Sequence, residues 1–338
     1  MTAPSAQAIS ASCYELGGRL LAFRYCGAEA EGPTENFLSS YHLRPVSGAT
    51  AADSTVDVFY GPPPPVPDGS HTFQVPRGVC HVAGSALHLD IDESRIFIHP
   101  RHAERVQVWL GETEHARHPV AVINALSYAV PGALRKAGLF DLHAACVVEP
   151  SGGRGLIIAG NSGSGKSSLT IRLAAAGWGY LTDDLLALRE ESGVVNAWAF
   201  RRAFSISRPS LARAGRPPLL GLLGPPVNSD PSKHLLDPAA CFPGQFAESC
   251  TPRALCFPSV TGEAVSRLER LSQAEAMRRL VRHSPWAAYD TSTARSHLAA
   301  LARLASQCRV YELGAGLDLY ERPGRAAELL AACFGDQD

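Results

Sequence analysis

The chain has 338 residues, of which 46% are hydrophobic and 19% charged; that is ample material for packed cores and rules out wholesale disorder. Lys and Arg number 31 against 32 Asp and Glu, a net charge of −1, so no global field attracts a polyphosphate backbone and no nucleic-acid partner is expected. No apolar run approaches the roughly 20 residues of a membrane span, and the opening Met1-Thr-Ala-Pro lacks the basic and apolar regions of a secretion signal.

A soluble, cytoplasmic protein with no membrane partner is therefore expected. The 9 cysteines are scattered with neither a CxxC pair nor zinc spacing, the pattern of free thiols in a reducing compartment. The length suits two domains.

Along the chain, Thr72-Phe-Gln-Val, Ala86-Leu-His-Leu-Asp-Ile-Asp and Arg95-Ile-Phe-Ile-His alternate apolar and polar as half-buried strands do. The proline run from Pro62 belongs to a surface loop. His118 to Val130 reads as a helix with Pro119 in its first turn and Pro131 ending or kinking it. Arg135-Lys136-Ala-Gly138 resembles a helix end, cations first and glycine beyond. This predicts a smaller, mixed, β-rich N-terminal domain over 1–137, serving substrate recognition or assembly. A second domain follows over 138–338.

In that second segment Leu142-His-Ala-Ala-Cys-Val-Val and Gly155-Leu-Ile-Ile-Ala are apolar runs suited to buried strands. A helix is expected from about Gly165 to Ala176, then a strand Tyr180-Leu-Thr ending in Asp183-Asp184. Further strands are predicted at Arg253–Phe257, Ser266–Leu271 and Arg309–Leu313, and helices at Ala276–His283 behind a Ser272/Glu275 capping box, Thr291–Gln307 and Arg325–Cys333. Alternating strands and helices make this an α/β domain, α+β for the chain as a whole.

Gly160-Asn161-Ser162-Gly163-Ser164-Gly165-Lys166-Ser167, followed by Ser168, satisfies G-x-x-x-x-G-K-[ST] between an apolar strand and a helix. Glycines let successive N–H groups converge on phosphate oxygens, and the helix adds its positive end. Lys166 would reach the β/γ-phosphates and Ser167 would bind Mg²⁺. An ATP site follows. Asp183-Asp184 ends the next strand, one helix later, predicted to pack beside the loop strand. One carboxylate there, Asp183 or Asp184, would ligate Mg²⁺ and the other accept a proton from an attacking hydroxyl. His143, at the start of the strand leading to the loop, would steady a carboxylate or phosphate oxygen.

Only Lys136, Lys166 and Lys233 are lysines; every other basic side chain is Arg. Lys233 follows the Gly/Pro-rich stretch Gly215–Pro226, which is either an irregular surface loop or a lid that carries a compact ammonium onto the phosphates. Arg201, Arg202 and Arg253 are further cations able to meet phosphate or an acidic substrate.

The set Leu142-His143-Ala144, Gly160 through Ser168, Gly177 and Leu181-Thr-Asp183-Asp184 resembles the kinase domain of HPr kinase/phosphorylase. Within that family it is most similar to stand-alone serine kinases of bacterial gene clusters, some of which act on ribosomal peptide precursors. The likeness spans Leu142 to Leu188. It implies a fold like that of phosphoenolpyruvate carboxykinase, Lys166 on the phosphates, Ser167 on Mg²⁺, Asp184 as proton acceptor and His143 as its helper. Two departures stand out. The family's His-Gly is His143-Ala144 here, and no acidic residue lies between Glu191 and Asp230 to supply a further metal ligand. A kinase without phosphorylase activity is expected, with an acceptor other than HPr.

The resulting expectation is an ATP- and Mg²⁺-dependent transfer of a γ-phosphoryl group to a hydroxyl, most simply Ser, of a protein or peptide. The alternatives are a small-molecule kinase and a nucleotide-binding regulatory module without turnover. Self-association into a homo-oligomer is left open.

Overall fold

Gly17 and Gly18, both at positive φ (56° and 70°), close a two-residue turn between β1 (Ser10–Leu16) and β2 (Arg19–Tyr25), the conformation that matches strand twist. They start a computed structural model that describes residues 10–27, 30–48, 51–99, 105–113, 118–214, 217–227 and 230–335. Its contacts divide the chain into two units: Met1–Phe140 with Trp286–His297, and Asp141–Pro285 with Leu298–Asp338.

The first unit is built on a nine-stranded mixed sheet. After β1 and β2 come β3 (Arg44–Pro45), β4 (Ser54–Tyr60), β5 (His71–Val75), β6 (Gly78–Ala83), β7 (Ala86–Ile91), β8 (Ser94–Ile98) and β9 (Arg105–Leu110). Their order is β3-β1-β2-β4-β9-β8-β7-β6-β5, with β2, β4 and β9 parallel and the rest antiparallel. The helix α1 (Glu31–Leu38) links β2 towards β4, and α2 (Pro119–Lys136) lies against β4, β8 and β9. His118 caps α2 by accepting the Val120 N–H through Nδ1 at 3.3 Å.

Pro131, expected to end or kink this helix, does not end it but sits inside it and is buried. Burial of the Ala125, Leu126, Ala129, Val130, Ala133 and Leu134 side chains continues across the proline. Each apolar side chain so placed contributes about 1–3 kcal/mol, enough to carry the helix past one lost hydrogen bond.

The two contiguous segments expected from sequence give way to a discontinuous division. Residues 286–297 join the first unit because Trp286 packs under Arg135 and against Tyr128, Tyr289 stacks on Phe73, and Asp290 pairs with Arg135.

The second unit holds a six-stranded sheet ordered β13-β11-β12-β20-β22-β21. Here β11 is Ala144–Val148, β12 Gly155–Ala159, β13 Gly179–Thr182, β20 Pro252–Val260, β21 Arg267–Arg270 and β22 Arg309–Ala315. The strands β12, β20 and β22 are parallel, whereas β11 is antiparallel to both β12 and β13. The helix α3 (Lys166–Ala175) covers the sheet with a buried Leu169, Ile171, Leu173 and Ala174 face.

Two smaller sheets complete the unit. One contains β10 (Phe140–Leu142), β14 (Leu186–Glu191), β15 (Val194–Ala199) and β19 (Ser249–Cys250). The other runs β16-β18-β17, with β16 Phe204–Ser207, β17 Leu223–Val227 and β18 Asp230–Leu236. Short helices α4 (Arg208–Arg213) and α5 (Pro238–Cys241) flank the latter. The chain thus folds as a mixed α/β protein with several sheets. None of the helices among the described residues is long and apolar enough to cross a membrane.

Candidate active site

The antiparallel placement of β11 decides where the chemistry collects. Ala144 at its start pairs with Ala159 at the end of β12, and Cys146 pairs with Thr182 at the end of β13. His143, the Gly160–Ser167 loop and Asp183-Asp184 therefore emerge at one end of the sheet. The parallel strands β12, β20 and β22 also finish there, the position at which open α/β sheets bind ligands. The acidic strand does not pack beside the loop strand, as expected from sequence. One strand, β11, intervenes, and it is this strand that brings His143 between them.

The loop follows β12 directly and ends at Gly165, whose φ of 102° only glycine adopts without strain. A Cβ on Gly160 would meet Ser164 Oγ at 2.6 Å, so a side chain there would require Ser164 to shift. Lys166 begins α3 and is buried, its Nζ donating to the Gly160 and Asn161 carbonyls at 2.7 and 3.1 Å. Burial pulls its pKa down, against the charges of Asp184 and Asp183.

The two carboxylates differ sharply. Asp183 is 1% exposed; its Oδ2 accepts the Ser205 N–H at 3.1 Å, and its Oδ1 is buried with no hydrogen-bond partner among the described residues. Burial, reinforced by the neighbouring Asp184 charge, pushes its pKa up to about 6. Asp184 faces Arg201 Nη1 at 2.5 Å and His143 Nδ1 at 3.4 Å. Burial opposes its charge, but Arg201, His143 and Lys166 outweigh that and hold the carboxyl below its usual range. His143 shifts downward because desolvation outweighs the pull of Asp184, which favours the neutral ring.

Lys233 lies on the central strand of a three-stranded sheet, opposite Ser207 of β16. Neither of the two readings the sequence allows for Gly215–Pro226, an irregular surface loop or a lid, is needed to bring it there. Pro217–Leu222 forms a 3-10 turn and Leu223–Val227 a strand, while residues 215–216 and 228–229 lie outside the described residues. The pairing with β16 already sets Lys233 Nζ 3.2 Å from Ser162 Oγ and 3.4 Å from Asp230.

One cavity of about 370 Å³ is lined by His143, Ser162, Gly163, Gly165, Lys166, Ser167, Ser168, Asp183, Asp184 and Lys233. Gly160, Asn161 and Ser164, expected in the same cradle, line a second cavity on the other side of the loop instead. Sequence reasoning missed Ser205, Ser207, Ser210 and Tyr320, which also line the first cavity; no motif marks them. Arg201 was legible only as one of several candidate cations, and nothing local signals its pairing with Asp184. Arg202 and Arg253 line neither cavity.

The donor set suits a small hard cation held mainly through phosphate and water. Asp183 Oδ1 is an unpartnered buried acceptor, Ser167 lines the same cavity, and no group of three His, Cys, Asp or Glu side chains among the described residues could hold a metal alone.

No family model matches the sequence, and no curated protein matches it. Among solved structures, the HPr(Ser) kinase/phosphatase from Coxiella burnetii aligns with 56% of this chain and 85% of its own, at 14% identity and a TM-score of 0.29. A superposition that loose carries no weight for function, and the reading below stands on the site's own residues.

Proposed function

We propose that the protein is an ATP- and Mg²⁺-dependent kinase of the HPr-kinase-like kind, transferring a γ-phosphoryl group to a Ser hydroxyl of a protein or peptide. The observation that carries this reading is the convergence, in one cavity, of a glycine loop ending in Lys166-Ser167, a buried carboxylate with a free oxygen, and a second carboxylate steadied by His143 and Arg201. Each part has a task in phosphoryl transfer, where positioning and charge stabilisation dominate.

Lys166 and Lys233 approach the phosphate site as compact ammonium groups and offset the charge that builds on the transferring oxygens. Ser167 and Asp183 would hold Mg²⁺, which neutralises phosphate charge when bound. Asp184 is ionised and would take the proton of the acceptor hydroxyl as the new O–P bond forms and the bond from the γ-phosphorus to the bridging oxygen breaks, releasing ADP. Its low basicity suits a late proton transfer, when the attacking oxygen has itself become acidic. His143 is neutral. With its proton on Nδ1, it orients Asp184 without protonating it.

Asp184→Asn keeps the side chain's shape and removes the proton acceptor, whereas Lys166→Ala removes the phosphate ammonium. Transfer should fall by roughly 100-fold or more in both, while ATP affinity weakens only in Lys166→Ala. Product assays beside nucleotide titrations decide. Unchanged transfer in Asp184→Asn would remove this base, and tight ATP binding with no turnover in the native protein would make it a regulatory module.

A further inference from the structure

The glycine loop separates two cavities, and the second has no part in the reading above. It encloses about 430 Å³ and shares Ser162, Gly163 and Val260 with the first. An occupant would therefore lie one loop's thickness from the transferring phosphate. Besides the loop, its walls are the end of β20, Glu312 of β22 and the helix α6 (Gln273–Arg282), which contributes Arg278, Arg279 and Arg282, followed by His283.

The charges on this wall are unevenly satisfied. Glu275 accepts from both Arg278 and Arg279, and Arg279 also reaches Glu312 at 3.1 Å. Arg282 is exposed and has no carboxylate partner among the described residues. Burial pulls the His283 pKa down to about 4, with Lys166, His143 and Arg282 adding to the effect, so the ring is neutral near pH 7. Beneath the groove the Ser164 hydroxyl is buried without a hydrogen-bond partner. The chain as a whole is nearly neutral, at −1, which makes a free guanidinium facing a cavity a local feature.

The helix is also tied to the site. The His143 N–H donates to the His283 carbonyl at 3.1 Å, and Ser284 Oγ to the Asp141 carbonyl at 3.3 Å. The end of α6 is therefore pinned to the segment that presents His143.

From this placement we propose that the second cavity is an acceptor-recognition site for a carboxylate. The substrate would be a peptide segment carrying Asp or Glu next to its acceptor Ser, with Arg282 binding the acidic side chain while the Ser reaches Asp184. The assignment rests on the kinase reading, but its test does not need turnover. Arginine suits the task because its fork accepts a carboxylate in two parallel hydrogen bonds.

The probe is a fluorescent peptide with a central Ser flanked by Glu, beside its Gln counterpart and a Lys-flanked version, titrated by anisotropy onto the full chain without nucleotide. The native protein should bind the Glu peptide roughly tenfold more tightly than the Gln peptide, a preference that shrinks with added salt. Arg282→Glu should abolish the preference and favour the Lys-flanked peptide. Because Arg282 is exposed, neither Arg282→Glu nor the milder Arg282→Gln removes a core side chain. Equal binding of Glu and Gln peptides, or a preference unchanged in Arg282→Glu, overturns the assignment. ATP displacing the Glu peptide, with Arg282→Glu weakening ATP binding instead, also overturns it and gives the groove to the nucleotide. In parallel, ATP affinity in the native and Lys166→Ala proteins tests the kinase reading alone. A failed peptide preference leaves the kinase reading standing, and a failed kinase reading is seen separately in the ATP titration.

Discussion

Each unit contains an Arg–Asp pair, and their surroundings could hardly differ more. Arg135 and Asp290 meet at 3.0 Å with side chains 1% and 0% exposed. Ser292 also donates to Asp290, and Trp286 covers the guanidinium. Arg201 and Asp184 meet at 2.5 Å but are 26% and 23% exposed, and Asp184 lines a cavity together with His143, its third partner. The sealed pair has its charge answered within the fold. The open pair leaves a carboxylate ionised and accessible, beside a second carboxylate that still lacks a partner for one oxygen. Similar chemistry thus serves packing in one unit and is held ready for a ligand in the other.

That contrast breaks first at the sealed pair. Asp290→Ala removes the carboxylate that answers a buried guanidinium and should cost about 3–5 kcal/mol of stability. Arg201→Ala, at a partly exposed pair, should cost about 1 kcal/mol or less. Urea unfolding of both variants measures the difference. Equal losses would mean that both pairs are structural.

The open site is sharpened next by Lys233, which is 32% exposed and contacts Ser162. If it offsets charge on the transferring phosphoryl group, Lys233→Ala should lower kcat/KM by roughly 10–1000-fold. Lys233→Arg should restore only part, since a planar guanidinium does not fit where an ammonium does. Steady-state kinetics on the two variants suffice, and wild-type rates for Lys233→Ala would return it to an ordinary strand lysine.

The smallest expected effect is on pH dependence, where two buried groups, one from each unit (His88 and Asp183), act with opposite signs. His88 in the first unit is 6% exposed, and burial, with Arg95 nearby, takes its pKa from 6.5 to about 4. A depressed folded pKa means stability that is present above pH 6.5 and lost as pH falls towards 4. Asp183 in the second unit is raised from 3.8 to about 6, so its contribution is present below pH 3.8 and lost as pH rises through 6. Each is of order 1–3 kcal/mol. Unfolding free energies from pH 4 to 7 should lose their acid-side fall in His88→Gln and lose the opposing trend in Asp183→Asn. Parallel profiles for both variants and the native protein would show that neither group titrates in the folded state as its surroundings require.

Much of the site was legible because its grammar is local. Gly165 sits at a positive φ that favours glycine, Gly160 lies close against Ser164, and Lys166-Ser167 must follow at the helix start; such constraints act within a few residues. Asp183 and Asp184 were legible through spacing, one helix after the loop. Lys233 stood out only because lysine is rare in this chain. Spacing along the chain, however, does not reveal strand order. The placement of β11 between β12 and β13, rather than at the sheet's edge, brings His143 to Asp184.

The amino-acid sequence by itself determined the glycine loop, the acidic pair, the strand and helix alternation that presents them, and an apolar content sufficient for two cores. These follow from dihedral freedom, hydrophobic period and capping, all set by neighbours in the chain. Tertiary structure alone decided that residues 286–297 pack with the first unit, that Lys233 reaches the loop from a strand, and that Arg201 pairs with Asp184. It also decided that the loop borders two cavities, one lined by Asp183 and Asp184 and the other by three arginines and Glu312. Those outcomes depend on contacts between segments tens to more than a hundred residues apart. Packing and charge settle such contacts only once the whole chain has collapsed, so no local pattern encodes them.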